Sequence, residues 1–234
     1  VLDAAELQLS RGESPRDTAA VMSRYVHAIG LRTGPHATID ELAAHSRVPV
    51  VNMLTREHHP CQALADLLTL RERFGRLAGL RLAYLGDGNN VAHSLMLLGA
   101  AAGVEVAVAT PPELAPDAGL VRRAQARAGE GGSATLTEDP EEAVRGADAV
   151  YTDVWTSMGD EEEAERRREL LTPYRLDREA LELAGDGAVA LHCLPAHPGE
   201  EVAAEVLYGE RSAVWDQAEN RLHAQKALLE LVVG

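Results

Sequence analysis

The sequence predicts an α/β fold built from parallel sheets. Short apolar runs, such as residues 80–85 and 188–191, alternate with longer segments that have helical apolar spacing. A run that is apolar throughout is typical of a strand buried on both faces, as in a parallel sheet. The alternation is interrupted between Gly75 and Gly79 and then restarts. We therefore expect two parallel-sheet, three-layer domains, with boundaries of 1–75 and 76–213 and a C-terminal segment over 214–234.

The first part of the chain predicts two strands set between helices. Ser14 is a suitable N-cap, Pro15 suits the first helical position, and Asp17 favours the first turn. The predicted elements are a helix from 15 to about 27, a strand over 28–33, a helix from about 38 to 46, a strand over 48–52 and a helix from 60 to about 74. This order is that of a parallel sheet with helical crossovers.

The second part of the chain repeats the same alternation. Strands are predicted over 80–85, 104–109, 135–137, 149–154, 188–194 and 212–215. Helices are predicted from about 90 to 102, 117 to 128, 139 to 146, from the acidic run at 160, and from 218 to 231. The last helix carries a stripe of leucines and so has an apolar face.

Composition and charge restrict the class of partner. The chain has 234 residues with 46% hydrophobic residues and a formal charge of −15, and no apolar run approaches the length of a membrane span. Such a charge disfavours nucleic acid and anionic membranes as partners. Lys226 is the only lysine, so recognition of an anionic substrate would depend on arginines. The two cysteines, Cys61 and Cys193, are expected to be reduced thiols of a cytoplasmic protein.

The stretch from 188 to 197 predicts the floor of an active site. An apolar strand ends there in His192-Cys-Leu-Pro195, and Pro195 is expected to end the ladder and to hold Leu194 extended. Ligands of open α/β sheets bind at the carboxyl ends of strands. A Cys nucleophile with a His base is one interpretation, and a buried structural Cys is the commoner one. His192, Cys193 and His197 supply no closed zinc ligand set, so we expect no metal.

Three other stretches place polar groups at a strand end or a helix start. His59 and Gln62 lie on one side of a predicted helix start, which favours an anion unless the segment is only a solvated turn. The loop over 86–90 lacks the third glycine of a dinucleotide-binding fingerprint, and its two asparagines suit an amino-acid backbone better. Asp153 ends an apolar strand, where it needs a cationic partner or caps a helix.

The sequence resembles the ornithine carbamoyltransferases of the aspartate/ornithine carbamoyltransferase superfamily. Five motifs occur in the family order, namely His59-Pro-Cys-Gln62, Gly86-Asp-Gly-Asn-Asn90, Asp153-Val-Trp-Thr-Ser-Met-Gly159, His192-Cys-Leu-Pro195 and Glu219-Asn-Arg221. The resemblance runs from about Gln8 to the C-terminus. It implies transfer of a carbamoyl group from carbamoyl phosphate to the δ-amine of L-ornithine, which yields L-citrulline and phosphate in arginine biosynthesis. It implies no cofactor and no metal.

The resemblance also implies which residues bind each substrate. Those implied for carbamoyl phosphate are Gln8, Arg32, His59, Pro60, Cys61, Gln62, Cys193, Leu194 and Arg221, and those implied for ornithine are Asn90, Asp153, Ser157 and Met158. The implied catalytic residues are Arg32, His59 and Cys193. Arg32 and His59 would stabilise charge that develops on the carbonyl oxygen. Cys193 would orient and help deprotonate the attacking amine without being acylated.

The family pattern further implies how the whole chain is organised. The Ser-Thr-Arg-Thr-Arg phosphate loop of the family is not found in these residues and would lie upstream of residue 1, so we expect the first domain to be truncated. The last helix is expected to cross back to that domain, through which family members assemble as homotrimers.

Three other functions remain open at this point. They are a catalytically silent fragment without the phosphate loop, a dinucleotide-binding module, and a carbamoyltransferase for acetylornithine or putrescine. Asp153 together with Ser157, Met158 and Gly159 favours free ornithine.

Overall fold

A computed structural model of the chain describes residues 12–156 and 163–234, which form two parallel sheets flanked by helices. The strands are β1 (Ile29–Arg32), β2 (Val50–Leu54), β3 (Arg81–Leu85), β4 (Glu105–Ala109), β5 (Ser133–Thr137), β6 (Ala149–Thr152) and β7 (Val189–His192). The helices are α1 (Pro15–Met22), α2 (His36–His45), α3 (Pro60–Phe74), α4 (Asn90–Ala101), α5 (Ala118–Ala126), α6 (Pro140–Val144), α7 (Ala164–Leu171), α8 (Arg178–Ala184), α9 (Ala204–Leu207) and α10 (Val214–Val233).

The sheet topology confirms the predicted fold class. Strand β1 pairs with β2, and the larger sheet has the order β5-β4-β3-β6-β7, with every pairing parallel. Side chains alternate between two cores along each strand. Leu82 and Tyr84 face a core formed with α3, α4 and α5, whereas Ala83 and Leu85 face one formed with α6, α8 and α9. The larger sheet is therefore the middle of three layers.

Local signals explain where the helices of the first sheet begin and end. The Ser14 hydroxyl accepts the N–H of Asp17 at 3.0 Å, which confirms the predicted N-cap of α1. Helix α1 ends at Met22 rather than near residue 27, and at its C-cap both the N–H and the hydroxyl of Ser23 donate to the Ala19 carbonyl, at 3.0 and 2.6 Å. Helix α3 ends at Gly75, whose φ of +71° is the left-handed conformation that glycine adopts at helix ends.

Two expectations about the end of the larger sheet were wrong. No strand forms over 212–215, because only Ser212 bridges to Ala190 before α10 begins at Val214, four residues earlier than predicted. Leu194 is not extended, because its φ is +58° and its peptide bond to Pro195 is cis. Its N–H donates to His192 Nδ1 at 2.9 Å, so the backbone turns back on the ring directly after the strand.

The last helix lies against α3, as the family resemblance implies. The Asn220 amide on α10 donates to Thr69 Oγ1 at 3.0 Å and to Glu72 Oε2 at 2.7 Å, both on α3. An exposed pair between Arg73 and Asp216 joins the same two helices. Within residues 12–156 and 163–234, no helix combines the length and apolar character needed to cross a bilayer.

Candidate active site

The carboxyl ends of β6 and β7 and the first turn of α3 lie beside one face of α10. A cleft of about 650 Å³ opens here, and Cys193, Leu194, Arg221 and Gln225 are among the residues that line it. Side chains of four sequence motifs meet here, because Arg221 pairs with Gln62 and Cys193 pairs with Asp153. Arg221 and Lys226 are the cationic residues of its lining, and Cys193 in the same lining contacts the carboxylate of Asp153.

His59 provides a neutral imidazole that is affected by the charges of Arg221 and Arg32. It is the N-cap residue of α3, only 8% exposed, and its backbone N–H donates to Ser94 Oγ at 2.7 Å. Burial, together with the charges of the neighbouring Arg221 and Arg32 guanidiniums, lowers its pKa to about 4. The ring is therefore uncharged at neutral pH. Its buried Nδ1 atom has no hydrogen-bond partner in the described part of the chain.

Arg221 is held beside the first turn of α3 by Gln62. Arg221 Nη1 donates to Gln62 Oε1 at 2.8 Å, and Gln62 itself is buried. Arg32 is exposed at the end of β1, and its charge reaches His59. The charges of two guanidiniums thus act on a neutral imidazole at a helix N-terminus. This combination of cations and N–H donors suits a small anion.

The predicted residues Pro60 and Cys61 form the start of α3. Pro60 occupies its first position, and the buried Cys61 thiol donates to Asn52 O at 3.5 Å. Burial raises the pKa of Cys61, so this thiol is protonated at neutral pH. The Cys61 carbonyl accepts from Gln225 Nε2 at 2.6 Å, which adds a contact between α3 and α10.

Asp153 forms a hydrogen-bonded pair with Cys193, which lines the cleft. The Cys193 thiol donates to Asp153 Oδ1 at 2.8 Å, and Asn89 Nδ2 donates to Asp153 Oδ2 at 2.8 Å. Burial, and then the charge of Asp153, raises the pKa of Cys193 well above the usual value. The thiol is therefore protonated, which argues against Cys193 as a thiolate nucleophile.

Neither sequence interpretation of Asp153 describes its contacts. The residue is 7% exposed, and its donors are the thiol of Cys193, the amide of Asn89 and the N–H of Val154. Among the described residues, no Lys, Arg or His forms a salt bridge with it. It does not cap a helix, since Val154 follows β6 in a loop. A buried carboxylate with neutral donors strongly favours a cationic ligand.

His192 supports the corner and is not placed to act as a base for Cys193. Its Nδ1 accepts the Leu194 N–H, and its Nε2 lies 3.2 Å from Oε1 of the fully buried Glu201. Ligand atoms of Asp153, His192 and Cys193 all lie within 4.8 Å of one another, a convergence that sequence spacing did not indicate. These atoms already have protein partners, which would have to be given up to hold a metal ion.

The glycine-asparagine loop joins the two sheets. Asn89 caps α4 by accepting the N–H groups of Val91 and Ala92. Asn90 Nδ2 donates to Thr55 O, beyond the end of β2, at 2.7 Å. A side chain at Gly88 would collide with the carbonyl of Leu114, so this glycine is explained by close packing. Binding of ornithine by Asn90 stays a prediction.

Arg167 anchors the loop that follows Asp153. Arg167 Nε donates to the Trp155 carbonyl at 2.7 Å, and its Nη2 pairs with Asp87 in a largely buried contact. Three residues assigned to the substrate sites lie outside the described residues, namely Gln8, Ser157 and Met158.

Comparison with known proteins identifies the family. Residues 1–72 match the family described as aspartate/ornithine carbamoyltransferase, carbamoyl-P binding domain, and residues 78–232 match its Asp/Orn binding domain. An ornithine carbamoyltransferase of Acidothermus cellulolyticus is 57% identical over 235 residues, which cover all of this chain and 75% of that protein. One of Parafrankia sp. is 56% identical over 234 residues, which cover all of this chain and 74% of that protein.

Solved structures agree with this assignment. The ornithine carbamoyltransferase from Pyrococcus furiosus superposes with a TM-score of 0.95 at 50% identity, over all of this chain and 75% of that one. The one from Gloeobacter violaceus gives a TM-score of 0.88 at 50% identity, over 95% of this chain and 75% of that one. Fold and site thus define a transferase with two parallel sheets. The chain belongs to the aspartate/ornithine carbamoyltransferase family, which confirms the resemblance found in its motifs.

Proposed function

We propose that this protein transfers the carbamoyl group of carbamoyl phosphate to the δ-amine of L-ornithine, giving L-citrulline and phosphate. One observation carries the proposal. The cationic Arg32 and Arg221 act on the neutral His59, and Cys193, which lines the same cleft as Arg221, contacts the buried carboxylate of Asp153. The first group suits an anion, and the second suits an amine, so the cleft can hold both substrates.

The proposed chemistry depends on positioning and on charge stabilisation. The δ-amine nitrogen attacks the carbonyl carbon, a C–N bond forms, the C–O bond to phosphate breaks, and the amine loses a proton. Arg32 and the neutral His59 would donate to the carbonyl oxygen as it gains charge. Since His59 has a pKa of about 4, its ring would act as a hydrogen-bond donor without titrating near neutral pH. Holding two substrates in line can by itself supply much of the rate.

The proposed ornithine site rests on Asp153. Its carboxylate would pair with an ornithine ammonium group. The ammonium would replace the hydrogen bonds from Cys193 and Asn89 or be added to them. The protonated thiol of Cys193 touches the same carboxylate, so it would lie beside the attacking amine. We propose that Cys193 orients the amine and helps its proton to leave, and that no acyl-enzyme forms.

The direct test is citrulline formation by this 234-residue chain, with its intact mass checked on the same sample. Carbamoyl phosphate would be supplied with ornithine and, in parallel reactions, with aspartate, acetylornithine or putrescine. We expect citrulline, with ornithine strongly preferred. Preference for another amine would contradict the assignment of Asp153. Failure of the chain to form any product would contradict the proposed activity of this chain.

Three further expectations remain proposals. We propose the domain division of 1–75, 76–213 and 214–234, a homotrimeric assembly and a cytoplasmic location. Both cysteines are free, which agrees with a reducing compartment. Size-exclusion chromatography with light scattering would test the trimer. A monomer at assay concentration would contradict it.

A further inference from the structure

Asp66 joins two buried amides at one oxygen atom. It lies on α3, one turn after Gln62, and is fully buried. Its Oδ1 atom accepts from Gln62 Nε2 at 2.8 Å and from Gln217 Nε2, on α10, at 2.6 Å. Burying a carboxyl group is costly in free energy unless hydrogen bonds replace those that it makes with water. None of the sequence motifs drew attention to it.

The far ends of both amides point to the candidate site. Gln62 Oε1 accepts from Arg221 Nη1 at 2.8 Å, and Gln217 Oε1 accepts the His192 N–H at 2.9 Å. A continuous hydrogen-bond chain therefore runs from Arg221 through Gln62, Asp66 and Gln217 to the end of β7. If either amide rotated by half a turn, its carbonyl would face the Asp66 carboxyl and its NH₂ group would face another donor. Asp66 thus determines which way both amides point.

We propose that Asp66 is a positioning residue for carbamoyl phosphate, acting through the orientation of Gln62 and, through it, of Arg221. This inference rests on the proposed function and adds a residue that does not itself touch the substrate. Gln62 would otherwise be free to offer either end of its amide to Arg221 and to the ligand. The same carboxyl holds Gln217, and so ties the start of α10 to the strand end that carries Cys193.

The surroundings of Asp66 make its ionisation measurable. Burial raises its pKa to about 7, although hydrogen bonds from Gln217 and Gln62 oppose that rise. The ionisable groups that face it are Arg221 from α10, Tyr151 from β6 and Cys193 after β7. Tyr151 favours the charged form, yet in the described residues neither its hydroxyl nor Asp66 Oδ2 has a hydrogen-bond partner of normal geometry.

Two substitutions separate positioning from ionisation. Asp66→Asn keeps an acceptor oxygen for both amides, whereas Asp66→Leu removes it with little change in volume. We expect the Leu variant to raise the KM for carbamoyl phosphate about tenfold or more, because a buried hydrogen bond is lost, and the Asn variant to stay within about threefold of the parent. The KM for ornithine should change less than that for carbamoyl phosphate in both variants.

Thr69→Val is the matched control, because it removes another buried bond between α3 and α10 without touching Gln62. It should lower stability and leave both KM values unchanged. A purely structural role for Asp66 would reduce the amount of folded enzyme, and hence the rate, without altering KM. An unchanged KM for carbamoyl phosphate in Asp66→Leu, or an equal rise in the Asn and Leu variants, would overturn the proposal.

A second measurement does not require the Leu variant to fold or the enzyme to turn over. The side-chain amide signal of Gln62, followed by NMR, should shift as Asp66 ionises in the parent protein and stay flat over the same pH range in Asp66→Asn. Like behaviour in the two proteins would overturn the proposal. Calorimetric binding of carbamoyl phosphate would then separate this failure from a failure of the proposed function. If the parent protein binds carbamoyl phosphate but forms no product, that result would contradict the proposed function and not the role of Asp66.

Discussion

Arg221 Nη1 donates a hydrogen bond to Gln62 Oε1 at 2.8 Å, although 159 positions separate the two residues in the chain. The guanidinium is supplied by the last helix, and the helix start that it joins lies between the two sheets. Two distant segments therefore meet at the proposed anion site, and we expect anion binding there to depend on the fork geometry of one arginine.

Replacing Arg221 by Lys should weaken carbamoyl phosphate selectively. A lysine keeps the positive charge but cannot hold Gln62 and a phosphate or carbonyl oxygen together, so we expect KM for carbamoyl phosphate to rise about tenfold or more. Steady-state kinetics with each substrate varied in turn would measure this. Arg73→Lys, in the exposed pair with Asp216 on the same two helices, is the control and should change neither KM. Equal effects of the two substitutions would contradict the role of Arg221.

Replacing Cys193 by Ala should reduce turnover far more than affinity for carbamoyl phosphate. The thiol contacts Asp153 and lies on the amine side of the cleft, so its loss should cost about tenfold or more in kcat. Cys193→Ser retains a small donor to the same carboxylate and should recover part of the rate. A turnover number unchanged in Cys193→Ala would rule out the proposed role.

Replacing Asp153 by Asn should weaken ornithine selectively, because the amide cannot pair with an ammonium group. We expect KM for ornithine to rise about tenfold or more, and KM for carbamoyl phosphate to stay near the parent value. The charge-matched control is Asp139→Asn, since asparagine is an equally good N-cap for α6. Similar weakening of both substrates would argue that Asp153 is only structural.

Two buried groups should give opposite pH dependences of stability. His59 has a pKa of about 4 in the folded protein, below its unfolded value of 6.5, so its contribution is present above pH 6.5 and is lost as pH falls through 4. Asp66 has a pKa raised from 3.8 to about 7, so its contribution is present below pH 3.8 and is lost as pH rises through 7. The two effects partly cancel in the parent protein between pH 5 and 7.5.

Urea denaturation of His59→Asn and Asp66→Asn at both pH values would separate these effects. On acidification, the parent should lose about 1–2 kcal/mol more stability than His59→Asn, since one pKa unit corresponds to about 1.4 kcal/mol. On acidification, the parent should lose less stability than Asp66→Asn. Parallel pH profiles for all three proteins would contradict the burial of these charges.

Replacing Arg167 by Met should destabilise the protein strongly. It removes a largely buried partner of Asp87 and a donor to the Trp155 carbonyl, and breaking one side of such a pair costs about 3 kcal/mol or more. The neighbouring Arg168 forms an exposed pair with Glu200, so Arg168→Met should cost less than about 1 kcal/mol. Chemical denaturation measures both, and similar losses in the two variants would refute the distinction.

Patterns of apolar spacing predicted most strands and helices because they depend only on nearby residues. Ser14 and Pro15 are local signals, and the start of α1 agrees with them. Where a distant group decided the outcome, prediction failed. Residues 212–215 look like a strand in isolation, but Ser212 meets Ala190 at a single bridge before α10 begins.

The candidate residues that a single motif carries, such as His59 and Cys193, could be proposed from the sequence, and their roles stay predictions. The candidate site was not predictable where function comes from a pairing across the chain. Asn89 was expected only as half of an asparagine pair, yet its amide donates to Asp153 from 64 positions away. Asp66 and Gln217 gave no signal at all, because an acid or an amide on a helix is ordinarily exposed.

The position of α10 also has a consequence for how the protein is made. Its residues follow both sheets in the chain, so they leave the ribosome after the sheets have had time to form. Until then Gln62 lacks Arg221, and the buried Asp66 lacks the amide of Gln217. The nascent polypeptide can therefore form both sheets while the proposed anion site still lacks Arg221. The proposed ligand binding would therefore require α10 to be added, through contacts of long sequence separation that form slowly.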